Sequence, residues 1–120
     1  MKIAITAQGK ALTSPLDPRF GRAPMFLVYD LDAETFAVVD NAQNLNAAQG
    51  AGIQAAQTVA GLGVQAVVTG NCGPKAFRVL RSAGIQVFTT QAATVAEALA
   101  LYRAGTLTEE KAANVEGHWA

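Results

Sequence analysis

The sequence predicts a mixed α/β domain, a five-stranded sheet with helices packed on it. Three observations point there. Short apolar, β-branched runs bounded by turn residues recur at Lys2 to Ala7, Met25 to Asp30, Glu34 to Asn41, Gln65 to Thr69 and Ile85 to Thr89, the pattern of strands. From Gly50 onward the intervals between these runs carry apolar residues at helical spacing. The resulting order, β-β-β-α-β-α-β-α, is a hairpin followed by two crossovers, which builds a sheet with both antiparallel and parallel pairs.

The elements follow in chain order. Lys2 to Ala7 is the first strand. Gln8 to Pro24 is a long loop holding Pro15, Pro18, Pro24, Gly9 and Gly21, and a connection of that length inside a small domain is usually functional. Met25 to Asp30 and Glu34 to Asn41 form a hairpin through the Leu31-Asp32-Ala33 turn. Ala42 to Gln49 is a polar connection. Gly50 to Leu62 is a helix with Ile53, Ala56, Val59 and Ala60 on one side, ended by Gly61 or Gly63. Pro74 to Ala83 is a second helix. Pro74 occupies its first position, where the missing N–H costs nothing, and Gly84 stops it. Thr94 to Ala104 is a third, with Thr94 and Glu97 as a capping box and Gly105 as its stop. Residues 1–107 are then one domain and 108–120 a polar C-terminal tail, with a helical turn expected at Glu109 to Ala113. The element order resembles the ribonuclease-H-like arrangement, strands 3-2-1-4-5 with strand 2 antiparallel. In that order the first and fourth strands are neighbours, and their carboxyl ends set the Gln8 to Pro24 loop beside the turn at Cys72.

Composition narrows the function. The chain has 120 residues, 51% of them hydrophobic and 15% charged, enough for one core. A formal net charge of zero argues against broad binding to nucleic acid or to an anionic membrane. A single cysteine rules out an internal disulfide and a four-cysteine metal cage within one chain. The N-terminus lacks the apolar core of a signal peptide, and no apolar run reaches the ~20 residues of a membrane span. A cytoplasmic location is expected.

Candidate chemistry gathers at two segments. In Thr69-Gly70-Asn71-Cys72-Gly73-Pro74-Lys75 the cysteine sits between a strand end and a helix start, where unpaired N–H groups and the helix dipole attract anions. A thiol there is expected to have a lowered pKa; the plainer reading is a small buried cysteine filling a turn. Leu16-Asp17-Pro18-Arg19-Phe20-Gly21-Arg22-Ala23-Pro24 is a stiff basic loop. Its arginines suit an anion, or one of them pairs with Asp17 to hold the loop. Lys75, Arg78 and Arg81 share one face of the second helix, a wet surface or an extension of a positive site. Gly50-Ala51-Gly52 lets a ligand approach the first helix start. Asp30, Asp32, Glu34 and Asp40 read as solvated turn residues, and no acid lies on the first strand, which disfavours a two-metal nuclease. His118, the only histidine, reads as a loose tail residue. On the residues alone three readings stand: a binder of a bulky anion, a Cys72-dependent phosphate- or thiol-transfer enzyme, and a non-catalytic protein-interaction adaptor.

The Lys-Ile-Ala-Ile-Thr strand, Asp-Pro-Arg-Phe-Gly-Arg-Ala (17–23), the Gly50–Gly52 helix start and Thr-Gly-Asn-Cys-Gly-Pro-Lys-Ala (69–76) together resemble the dinitrogenase iron–molybdenum cofactor-binding family. The resemblance runs from Met1 to about Tyr102. It implies the ribonuclease-H-like fold, no catalysis of its own, and binding or carriage of a preformed anionic metal–sulfur cluster. Within the family the chain is most similar to small stand-alone proteins of anaerobic sulfate reducers that carry a molybdenum–copper sulfide cluster; an iron–molybdenum or iron–sulfur cluster is the other cargo. The implied cluster-binding residues are Arg19, Phe20, Arg22, Gly50, Gly52, Asn71, Cys72, Gly73 and Lys75, with Met25 adding apolar contact and Cys72 as the soft metal ligand. A single cysteine implies that binding is mostly electrostatic or shared with another chain. The implied partner is a cluster donor or acceptor protein, with no nucleic acid and no membrane.

Overall fold

The computed structural model describes residues 1–41 and 51–111. Within them lie β1 (Lys2–Ala7), β2 (Met25–Asp30), β3 (Thr35–Asp40), α1 (Ala51–Ala60), β4 (Ala66–Thr69), α2 (Pro74–Ser82), β5 (Gln86–Thr89) and α3 (Val95–Arg103), in the expected order. The helix starts behave as their residues dictate. Pro74 opens α2, and the Thr94 hydroxyl accepts the Glu97 N–H at 3.2 Å, one half of a capping box. Gly50 and the Ala42 to Gln49 connection lie outside the described residues, as do residues 112–120 with His118.

The sheet order is β3-β2-β1-β4-β5. β1 runs antiparallel to β2, from Lys2 opposite Asp30 to Ala7 opposite Met25, and parallel to β4, with Ile3 opposite Ala66. β2 and β3 form the hairpin and β4–β5 is parallel, the expected mixed sheet flanked by helices. The central strand β1 is buried on both faces, so its alternation divides the core. Ile3, Ile5 and Ala7 join Leu27, Tyr29 and Val68 against Val95, Ala98 and Leu99 of α3. Ala4 joins Phe26, Val28, Val67 and Val87 on the other face, against Ala55, Ala56 and Val59 of α1 and Ala76 and Leu80 of α2.

The chain after α3 departs from expectation. Over the described part of the expected turn, residues 109–111, the chain is not helical: Glu109 bridges Phe88 of β5, and the Glu110 N–H donates to the Val87 carbonyl at 2.8 Å. β5 is an edge strand whose unpaired backbone groups take a partner, and this extended pairing outcompetes one isolated helical turn, which has a costly nucleus. Among the described residues, no helix is long and apolar enough to cross a membrane.

Candidate functional site

β1 and β4 end side by side, and the residues just beyond their carboxyl ends build the site. In α/β sheets this is where ligands bind, at the point where neighbouring connections diverge. Two buried threonines tie the strand ends to the long loop. The Thr6 hydroxyl donates to the Asp17 carbonyl at 2.7 Å and is hydrogen-bonded to the Thr69 hydroxyl at 2.9 Å. The Asp17 N–H returns to the Thr6 carbonyl at 3.0 Å. Beyond Asp17 the loop runs along the turn after β4. Arg19 bridges Asn71, the Phe20 N–H donates to the Asn71 carbonyl at 3.1 Å, and the Asn71 amide donates to the Pro18 carbonyl at 3.1 Å.

Two glycines make that approach possible. A Cβ on Gly70 would stand 2.7 Å from the Cα of Pro18. A Cβ on Gly21 would stand 2.8 Å from both the Cα and the N of Gly52, in the first turn of α1. Backbone atoms cannot yield as a flexible side chain can, so neither position admits a side chain without movement of the main chain. The basic loop is therefore pressed against both helix starts, α1 through Gly21 and Gly52 and α2 through Gly70 and Asn71.

The loop's two arginines differ. Asp17 is 2% exposed, and its carboxylate accepts the Arg19 N–H at 2.8 Å with the Arg19 Nε at 3.7 Å. A buried carboxylate needs such partners, so Arg19 holds the loop, while its half-exposed side chain still reaches solvent. Arg22 is half-buried. Lys75, on the first turn of α2, is exposed. Gly73 caps α2 with no side-chain hydrogen bond to the helix start. Among the described residues no group of three or more His, Cys, Asp or Glu is placed to hold a metal ion.

One expectation needs correction, and two further side chains are placed against the core. The Cys72 thiol was expected to be acidified; it is 2% exposed, and burial pushes its pKa from the ordinary 9.0 up to about 12. Its S–H points to the Gly73 carbonyl at 3.8 Å, a contact of the neutral form. Packing the sulfur among core residues disfavours the charged thiolate. Phe20 was expected to touch the ligand; it is buried in the core, its ring 5.6 Å from that of Phe26. It anchors the loop from beneath. Met25 packs on the α3 side of the sheet, away from α1 and α2. Sequence reasoning missed the Thr6–Thr69 tie and the Pro18–Gly70 approach, although a threonine at the end of two neighbouring strands was a signal for the first.

The fold recurs in other proteins. Over 95% of this chain and 96% of the other, the apo form of the orange protein from Desulfovibrio gigas superposes with a TM-score of 0.92 at 39% identity. A NifB-like protein from Thermotoga, solved by NMR, matches with a TM-score of 0.79 at 34% identity over 90% of this chain and 91% of its own. An uncharacterized protein of Methanocaldococcus jannaschii is 29% identical over 110 residues, 89% of each chain. The family described as dinitrogenase iron-molybdenum cofactor matches residues 1–105, which include both segments of the site. With that match covering the sheet, the loop and the Cys72 turn alike, the chain belongs to the dinitrogenase iron–molybdenum cofactor family.

Proposed function

We propose that this protein binds or carries a preformed anionic metal–sulfur cluster, of the molybdenum–copper or iron–molybdenum sulfide type, and is not itself a catalyst. The observation that carries the reading is the convergence of one basic loop on two helix starts. Arg19 and Arg22, Lys75 and the first N–H groups of α1 and α2 lie around the Gly21–Gly52 and Pro18–Gly70 contacts. A bulky, soft, multiply charged anion is neutralised there without a covalent bond. The donor set fits such a cargo as an electrostatic cradle. It does not fit a thiolate-ligated cluster, because the one cysteine is buried and holds its proton. We therefore assign Arg19, Arg22, Gly52, Asn71, Gly73 and Lys75 to contact with the cluster, and Phe20 and Cys72 to the support beneath it. We take the strand order as ribonuclease-H-like, and the cluster's donor or acceptor as a second protein in the same cytoplasmic compartment. A buried thiol whose pKa is raised to about 12 also argues against the Cys72-dependent transferase.

Reconstitution tests the reading. Apo protein is mixed with tetrathiomolybdate and copper without oxygen and passed over gel filtration. Visible absorption bands, molybdenum and sulfide should comigrate with the protein near one cluster per chain. Colour that elutes only with free small molecules would overturn the proposal.

A further inference from the structure

The outer side of α2 carries a second feature, separate from the loop and the α1 start. An open groove of about 380 Å³ lies between α2 and the returning C-terminal segment, lined by Pro74, Phe77, Arg78, Arg81 and Lys111. Its floor is apolar, one ring and one proline, and its rim is cationic. α2, with the sequence PKAFRVLRS, contains Lys75, Arg78 and Arg81 and no acid.

We propose that this groove docks an acidic segment of a partner protein, an apolar side chain seated on Phe77 and Pro74 and flanking carboxylates on the rim. Charge complementarity selects the occupant. The Arg81 guanidinium is already oriented: it lies 5.6 Å above the Phe77 ring, 3.7 Å from the Glu109 carboxylate, and 3.4 Å from the Glu110 carbonyl to which it donates. A preset planar fork loses little freedom when a carboxylate arrives. Glu109 also holds Lys111 at 3.2 Å, so one acid fixes two cations on the rim. Arg78 is exposed, and among the described residues no carboxylate lies within ion-pair distance of it. Among the described residues that line the groove, it is the cation with no such pairing. A nucleic-acid strand is the lesser fit, since the chain has no net positive charge and the groove's cations stand over an apolar floor of Pro74 and Phe77 that suits a side chain. A small ligand is also a poorer fit, because pockets for small ligands enclose most of their guest and this groove is open along its length. The groove begins at Pro74, the residue that opens the helix behind Cys72, so a docked segment would lie beside the loop without covering it.

The test uses the full chain, labelled with nitrogen-15 and free of any cluster, so cluster binding and docking fail independently. The probe is an acetylated and amidated peptide alternating Glu with Leu and Phe; the comparisons are the same peptide with Lys for Glu, and a single-stranded RNA oligonucleotide. The acidic peptide should shift the amides of residues 75–81 and Lys111 saturably, and added salt should weaken it. Arg78→Glu, at an exposed position, should lower affinity about tenfold, and the pair with Arg81→Glu further. If Arg81→Glu disturbs the spectrum as a whole, Arg78→Glu alone decides. The proposal is overturned if no amide shifts, if the shifts fall on the loop or β3 instead, if they survive Arg78→Glu, if the Lys peptide binds equally, or if the RNA moves the same amides at equal or lower concentration.

Discussion

Raising the pH should destabilise this protein through one buried thiol. Cys72 lies in the core beneath α1 and α2, beside Phe20 and Ala76, and its pKa stands near 12 against an ordinary 9.0. The folded state keeps the proton over a range where the unfolded chain releases it. Stability from this group is therefore full below pH 9 and is lost as pH rises toward 12. At about 1.36 kcal/mol per pH unit, the gap corresponds to about 4 kcal/mol, a large fraction of a small domain's stability. Tyr102 also has its pKa raised by partial burial, so the measurement must isolate the thiol. Urea unfolding of the wild type and of Cys72→Ala, repeated from neutral to strongly alkaline pH, does so by difference. The wild type should lose its advantage over the variant by several kcal/mol across the window, and iodoacetamide should label the native thiol far more slowly than the urea-unfolded one. A difference that stays flat with pH, or native labelling whose midpoint lies at or below the ordinary thiol range, would show that the helix start outweighs burial.

The remaining expectations concern the loop and the hairpin. Arg19→Ala should cost about 1 kcal/mol in urea unfolding, because it strips a partner from the buried Asp17 carboxylate; Arg22→Ala should speed cluster loss, more so at high salt; Arg103→Ala, on α3 across the sheet, is the control and should leave retention unchanged. Gly70→Ala should cost about 1–3 kcal/mol, since the new Cβ meets the Pro18 backbone at 2.7 Å; a loss under about 0.5 kcal/mol would mean that loop and turn part freely. Glu34, at φ 57°, is the only left-handed non-glycine residue in the described backbone. Glu34→Asn should raise the thermal midpoint, gaining up to about 1 kcal/mol where Asn tolerates that conformation, and an unchanged or lowered midpoint would count against strain there.

The strands and helices were legible because their causes are local. Short apolar runs bounded by turn residues mark β1, β2 and β3, proline marks the start of α2, and a threonine three residues before a glutamate marks α3. The strand order was legible too, because a hairpin and two crossovers of one hand leave few ways to build the sheet. That order alone set the basic loop beside the Cys72 turn, so the place of the site could be read before its geometry. The state of each group in it could not. The pKa of Cys72 depends on how deeply Phe20, Ala76 and their neighbours cover the sulfur, a sum over residues remote in sequence. That Arg19 holds the loop depends on its guanidinium lying beside a carboxylate that the fold buries. The path of Glu109 and Glu110 depends on an edge strand more than twenty residues earlier that needs hydrogen bonds. Local pattern determines which elements form; burial, which only the assembled core creates, decides what charge each side chain carries and what it can touch.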